Sequence, residues 1–93
     1  MLFIVNWTIS PENRNSVLQR FIKTKGAPPE GVKMLGRWHA VGRAVGFGIA
    51  EADDLALIQK WVFEWSDLMS MEVQPALTDE QATPLLLETL TNK

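Results

Sequence analysis

The sequence contains no cysteine, only one histidine, and charged residues make up just 22% of it. Without cysteine there is no disulfide, zinc ribbon, iron–sulfur cluster or thiol nucleophile to consider. Small secreted domains are commonly stapled by disulfides, so this lack places the expected location inside the cell, in the cytoplasm. Charge of one sign never accumulates in a long run, and with 46% hydrophobic residues the chain is not expected to be disordered. Long apolar runs are missing too. Residues 1–7 are apolar, but they lack the basic start of a signal peptide and are far too short to cross a bilayer. A net charge of −2 supplies no general basic surface for nucleic acid, and no membrane partner is expected. Asn6-Trp7-Thr8 matches a glycosylation acceptor, read here as coincidence within a strand.

What is present suits one domain spanning residues 1–93. A chain of this length buries only roughly 60–65% of its unfolded surface, so a partner that hides more apolar area would help it. Four Trp, four Phe and four Met provide the material for a core. No repeat, low-complexity tract or linker divides the sequence.

Residues 2–9 are rich in β-branched and aromatic side chains and predict a strand. Ser10-Pro11-Glu12 predicts a helix start with a hydroxyl cap, and Val17, Leu18, Phe21 and Ile22 then fall on one helical face to about residue 23. Residues 25–31 form a Gly- and Pro-containing loop. Residues 32–40 and 44–51 predict two strands around a turn at 41–43. Asp53 or Asp54 caps a second helix whose buried stripe is Leu55, Ile58, Val62 and Trp65, with Trp61 beside it. Residues 69–75 predict a fourth strand. Thr78 and Gln81 fit a capping box before a last helical piece through residue 90, which Pro84 is expected to interrupt or restart. The order β-α-β-β-α-β with an extra C-terminal helix predicts an α+β, ferredoxin-like fold with both main helices on one face of the sheet.

Alternation along the strands divides the sheet into two sets of side chains. Phe3, Val5, Trp7, Trp38, Phe47 and their neighbours make one set, together with Met34, Val45, Ile49, Met69, Met71 and Val73. The other holds Asn6, Thr8, Arg37, His39, Ser70 and Glu72 among small and apolar residues, including Gly46 and Gly48. The first set is too large to face water, and helices cover only one face. A second copy packed sheet against sheet would cover the other, so a homodimer is expected; a monomer with its C-terminal helix laid over the open face is the alternative.

The polar set is where chemistry is expected. His39 is the side-chain type that titrates nearest neutrality, and Arg37 on the same strand face could hold an anionic group. Asn6 could fix a carbonyl or oxygen species, and Glu72 could orient His39 or, if desolvated, act as a base. The expected ligand-binding set is thus Asn6, Thr8, Arg37, His39 and Glu72, with His39 and Glu72 the catalytic candidates and Gly46 and Gly48 leaving room for a small molecule. The competing reading is a self-satisfied polar strip with an Arg37–Glu72 ion pair. One histidine with one nearby carboxylate does not make a metal site, and no cofactor is implied. Ser70 and His39 do not by themselves make a nucleophilic pair. The glycines match no dinucleotide fingerprint. An RNA-recognition motif shares the element order, but Val45 replaces an aromatic residue that such a sheet needs. Trp61 and Trp65, four apart on one helix, are expected to pack rather than to cage a ligand.

The run Gly26-Ala27-Pro28-Pro29-Glu30-Gly31-Val32-Lys33-Met34-Leu35-Gly36-Arg37-Trp38-His39, followed by Glu64-Trp65-Ser66-Asp67-Leu68, resembles a family of small bacterial proteins known only as a domain of unknown function. The resemblance covers nearly the whole chain and implies a dimeric α/β-barrel, in which two ferredoxin-like units stack sheet to sheet. It implies no settled activity. Proteins of that broader fold include cofactor-independent monooxygenases and haem-degrading enzymes, some of which use Asn, Trp and His around a cavity between helices and sheet; Asn6, Trp7 or Trp38, and His39 are similar residue types. Two functional expectations follow: a homodimeric small-molecule binding protein or enzyme, monooxygenase-like in one form, or a non-catalytic homodimeric interaction module.

Overall fold

Leu2–Ile9 forms the first strand, β1, as its β-branched and aromatic content demands. In this computed structural model, which describes residues 1–92, a single 3-10 turn at Pro11–Asn13 leads into α1 (Arg14–Thr24). The chain continues through β2 (Lys33–His39), β3 (Val45–Glu51), α2 (Leu55–Trp65), β4 (Met69–Ala76) and α3 (Asp79–Thr91). The element order is the one expected. Local chemistry explains most of the boundaries. Asp54 caps α2 by accepting from the Ala56 amide at 2.8 Å. Thr78 and Gln81 form the full capping box that opens α3. Lys25 ends α1 in the left-handed region at φ 58°.

Two local expectations are corrected. Ser10 makes no side-chain cap, and α1 starts only after the 3-10 turn that Pro11 opens. Pro84 does not interrupt α3, which is continuous through it. The proline leaves one carbonyl, that of Glu80, without its amide donor, and on an exposed helix water can take that place.

The sheet order is β2-β3-β1-β4 with every neighbouring pair antiparallel. α1 and α2 each cross between strands separated by one other strand, so this small α+β arrangement is compatible with the ferredoxin-like plan. The core joins Phe3, Val5 and Ala50 of the sheet to Val17 of α1 and Ile58, Trp61 and Trp65 of α2. Both helices therefore cover one face. The burial stripes are narrower than their periodicity suggested: Leu18 and Ile22 of α1 and Leu55 of α2 stay exposed. α3 buries no residue at all.

Register overturns the expected division of the sheet. Phe3, Val5 and Trp7 pair with Ala50, Gly48 and Gly46, so the even-numbered residues of β3 join the odd-numbered residues of β1 on the covered face. Val45, Phe47 and Ile49 pair with Thr8, Asn6 and Ile4 on the open face. In β2 a register shift between Met34 and Gly36 absorbs Leu35. It puts Met34, Arg37 and His39 opposite Ala50, Gly48 and Gly46 on the covered face, and turns Trp38 to the open one. Size complementarity accounts for the outcome. A Cβ on Gly46 would run into the Trp7 indole, and one on Gly48 would lie 2.7 Å from the Met34 methyl. The glycines make room for side chains of the chain itself, where a ligand was expected.

Candidate functional site

The expected polar set is divided between the two faces. Arg37 and His39 look toward the helices, whereas Asn6, Thr8, Ser70 and Glu72 lie on the open side, Asn6 opposite Glu72 and Thr8 opposite Ser70. β2 and β4 are the two edges of the sheet, three strand spacings or roughly 14 Å apart. Glu72 therefore cannot orient His39, and the Arg37–Glu72 ion pair is ruled out by the same separation.

Arg37 and His39 instead border a cavity of about 90 Å³ between the sheet and the two helices. Its wall is aromatic and thioether: Trp7, Phe21, Trp61, Trp65, Met69 and Met71, closed by Ile9, Val17, Leu18 and Gly26. Trp61 and Trp65 are buried as expected of packing residues, and they also form the cavity wall. His39 stands between two rings edge-on, its centroid 5.8 Å from Trp7 and 5.7 Å from Phe21. It is exposed, so it sits where the cavity reaches solvent at the β2 edge.

Arg37 has two attachments. Its Nη1 donates to the Gly26 carbonyl at 2.7 Å and its Nη2 to the Lys25 carbonyl at 3.3 Å. Both carbonyls lie just past the end of α1, where helical acceptors lack partners. The guanidinium also stacks over Phe21, 4.7 Å from the ring centroid. Burial lowers its pKa from the ordinary value, but a guanidinium starts so basic that it stays cationic at neutral pH. Two of its five donors are used by these bonds. Among the described residues, no carboxylate lies within ion-pair distance of it. The combination is a partly buried cation at the end of an apolar, aromatic-walled cavity.

Gly26 is the position that permits this. Its φ of 62° suits glycine, and a Cβ there would fall 2.5 Å from the Phe21 ring and 2.6 Å from Arg37 Nη1. The Glu64–Asp67 stretch is structural. Arg20 of α1 donates to both Asp67 oxygens at 2.9 and 2.8 Å and to the Glu64 carbonyl at 2.9 Å, and it lies over Trp65 at 5.3 Å. This clamp ties α1 to the end of α2 above the cavity. The Asp67 carboxyl is held below its ordinary pKa by the hydrogen bond from Arg20.

Sequence reasoning missed the aromatic wall as a site. Trp7 and Phe21 were legible only as core, since no local pattern reveals that their rings meet His39. Trp7 and His39 do share the cavity, but Asn6 points away from it, so an Asn–Trp–His constellation does not form. Among the described residues, no group of three or more His, Asp or Glu is placed to hold a metal ion, and no helix is long and apolar enough to cross a membrane.

The profile of a family described as a domain of unknown function, DUF3303, matches residues 1–90, and the chain belongs to that family. No curated protein matches the chain, and neither does any solved structure.

Proposed function

For this member of a family without an assigned activity, we propose that the protein binds a small carboxylic acid with a flat apolar body in the cavity under α1, and that it does so as a homodimer. The observation that carries the reading is Arg37: a partly buried guanidinium with unused donors at the border of an aromatic cavity whose lining holds no carboxylate. A carboxylate is the natural partner for the planar donor fork, and Trp and Phe faces favour a flat body. The cavity is smaller than the roughly 150 Å³ that accepts benzene in an apolar core. A ring is accommodated only when the cavity widens, and Leu18 on its α1 wall is half exposed.

His39 at the mouth is positioned to exchange a proton with a bound molecule, which leaves catalysis open as an extension of binding. With Glu72 and Asn6 on the other face, neither of them orients it. Binding is for this reason placed ahead of turnover, including monooxygenase-like turnover. The homodimer rests on the open face, where Trp38 (51% exposed) stacks on Phe47 (46% exposed) beside Ile4. A purely structural interaction module is the second reading, favoured by that same apolar face and by the structural use of Arg37 at the end of α1.

Titration with benzoate and benzamide, followed by tryptophan fluorescence and calorimetry, separates these readings. Benzoate should bind at least about tenfold more tightly than the amide, and Arg37→Met should erase the difference while leaving a folded protein. Equal binding of the two compounds, or a preference that survives Arg37→Met, would sink the proposed site.

A further inference from the structure

α3 is a helix with no place to rest. Ala82, Leu85, Leu86 and Leu90 form an apolar stripe flanked by Leu87, while Gln81, Pro84, Glu88 and Thr91 take the opposite side. All four leucines are more than half exposed, and no residue of the helix is buried. The long axis of the molecule is 52 Å against 31 Å for the next, and the radius of gyration is 15.9 Å. A compact chain of this length would have a radius of about 12 Å. The excess of the long axis matches the roughly 20 Å length of a 13-residue helix, so α3 projects from the body.

A second surface has the opposite need. Between α2 and the edge strand β4 lies a groove of about 310 Å³, walled mainly by Leu55, Ile58, Val62, Val73 and Pro75. It is apolar along most of its length, and nothing among the described residues fills it.

We infer that α3 is an exchanged arm: its leucine stripe seats in the α2–β4 groove of a second copy, whose α3 occupies the first copy's groove in return. This rests on the homodimer proposed above and adds to it. The area argument favours a second copy as the occupant. An open face of four strands, each about eight residues long, offers a footprint of roughly 480 Å². A standard interface buries about 800 Å² of accessible surface on each partner. An arm about 20 Å long and 10 Å wide adds roughly 200 Å² of footprint to what the sheet face offers, which enlarges the contact between two copies. Two-fold symmetry then makes every arm–groove contact occur twice.

The chain's lack of cysteine gives a clean test. A variant carrying Gln59→Cys in the groove and Leu86→Cys on the arm is oxidised, and its covalent mass is read beside the two single variants. A covalent dimer formed by the double variant and by neither single variant is the expected result. A cross-link within one chain would overturn the inference by showing that α3 folds onto its own groove, and so would the absence of any cross-link in an intact dimer. Native mass spectrometry on residues 1–77 provides the second measurement. Removal of α3 should weaken dimerisation by about 100-fold or more. Dimerisation unchanged by the deletion would overturn the arm alone, whereas a monomeric full-length chain would overturn the arm and the proposed dimer together.

Discussion

The two faces of this sheet are built from the same four strands yet obey different rules. On the covered face, small residues sit beneath large ones: Gly46 under Trp7, Gly48 under Met34, and Ala50 opposite the fully buried Phe3. On the open face large residues meet large residues, Trp38 stacked on Phe47 at 5.1 Å with Ile4 nearby, and all three stay exposed. The covered face is a packed solid in which volume must match. The open face has apolar material with no opposing layer. A face of the first kind stabilises a monomer, and a face of the second kind is the one on which the proposed dimer rests.

Substitution of matched residues puts the difference to a direct test. Phe3→Ala should cost about 3–5 kcal/mol in denaturant unfolding, because it empties the core. Phe47→Ala at concentrations low enough to keep the chain monomeric should cost less than about 1 kcal/mol, since its ring is half exposed already. Equal losses would break the distinction between the faces.

Two glycines sharpen it. Gly46→Ala places a methyl against Trp7 and 2.7 Å from the Trp38 carbonyl, so backbone must move; a loss of about 1–3 kcal/mol is expected. Gly36→Ala on the open face meets first the half-exposed Trp38 ring, a side chain that can swing away, and should cost less than about 1 kcal/mol. A thermal melt of each variant reads the contrast.

The smallest effect belongs to the clamp above the cavity. The Asp67 pKa is depressed in the folded chain, so its contribution is present above the unfolded value near about 3.9 and is lost as pH falls through the lower folded value. The stability gap between the wild type and Asp67→Asn should accordingly be constant near neutrality and close under acid. A gap that persists unchanged to the most acidic pH at which the protein stays folded would remove the ion pair as its cause.

Much of the fold was legible in the residues. Element order, the Asp54 cap and the Thr78–Gln81 box are set by chemistry within a few residues, and local reasoning finds them. The site was legible only as a list of residue types. Arg37 and His39 were singled out rightly as neighbours on one strand face, but their companions were assigned by parity across strands that are not adjacent in sequence. β1 pairs with β3 and β4 through connections that contain whole helices, so no turn fixes whether odd residues face odd or even ones. A single extra residue at Leu35 then reverses the parity within β2. Each such step moves a complete set of side chains to the other face.

By itself the sequence determined the helices, the strands, their order and the chemical palette, because capping, alternation and the absence of cysteine act over short distances or over the whole composition. Only the tertiary structure decided which residues share a face, that Glu72 and His39 are apart, that aromatic rings gather around Arg37, and that α3 leaves its own body uncovered. Those outcomes depend on register and on the matching of volumes between distant segments, and the fold settles both when the sheet closes against its helices.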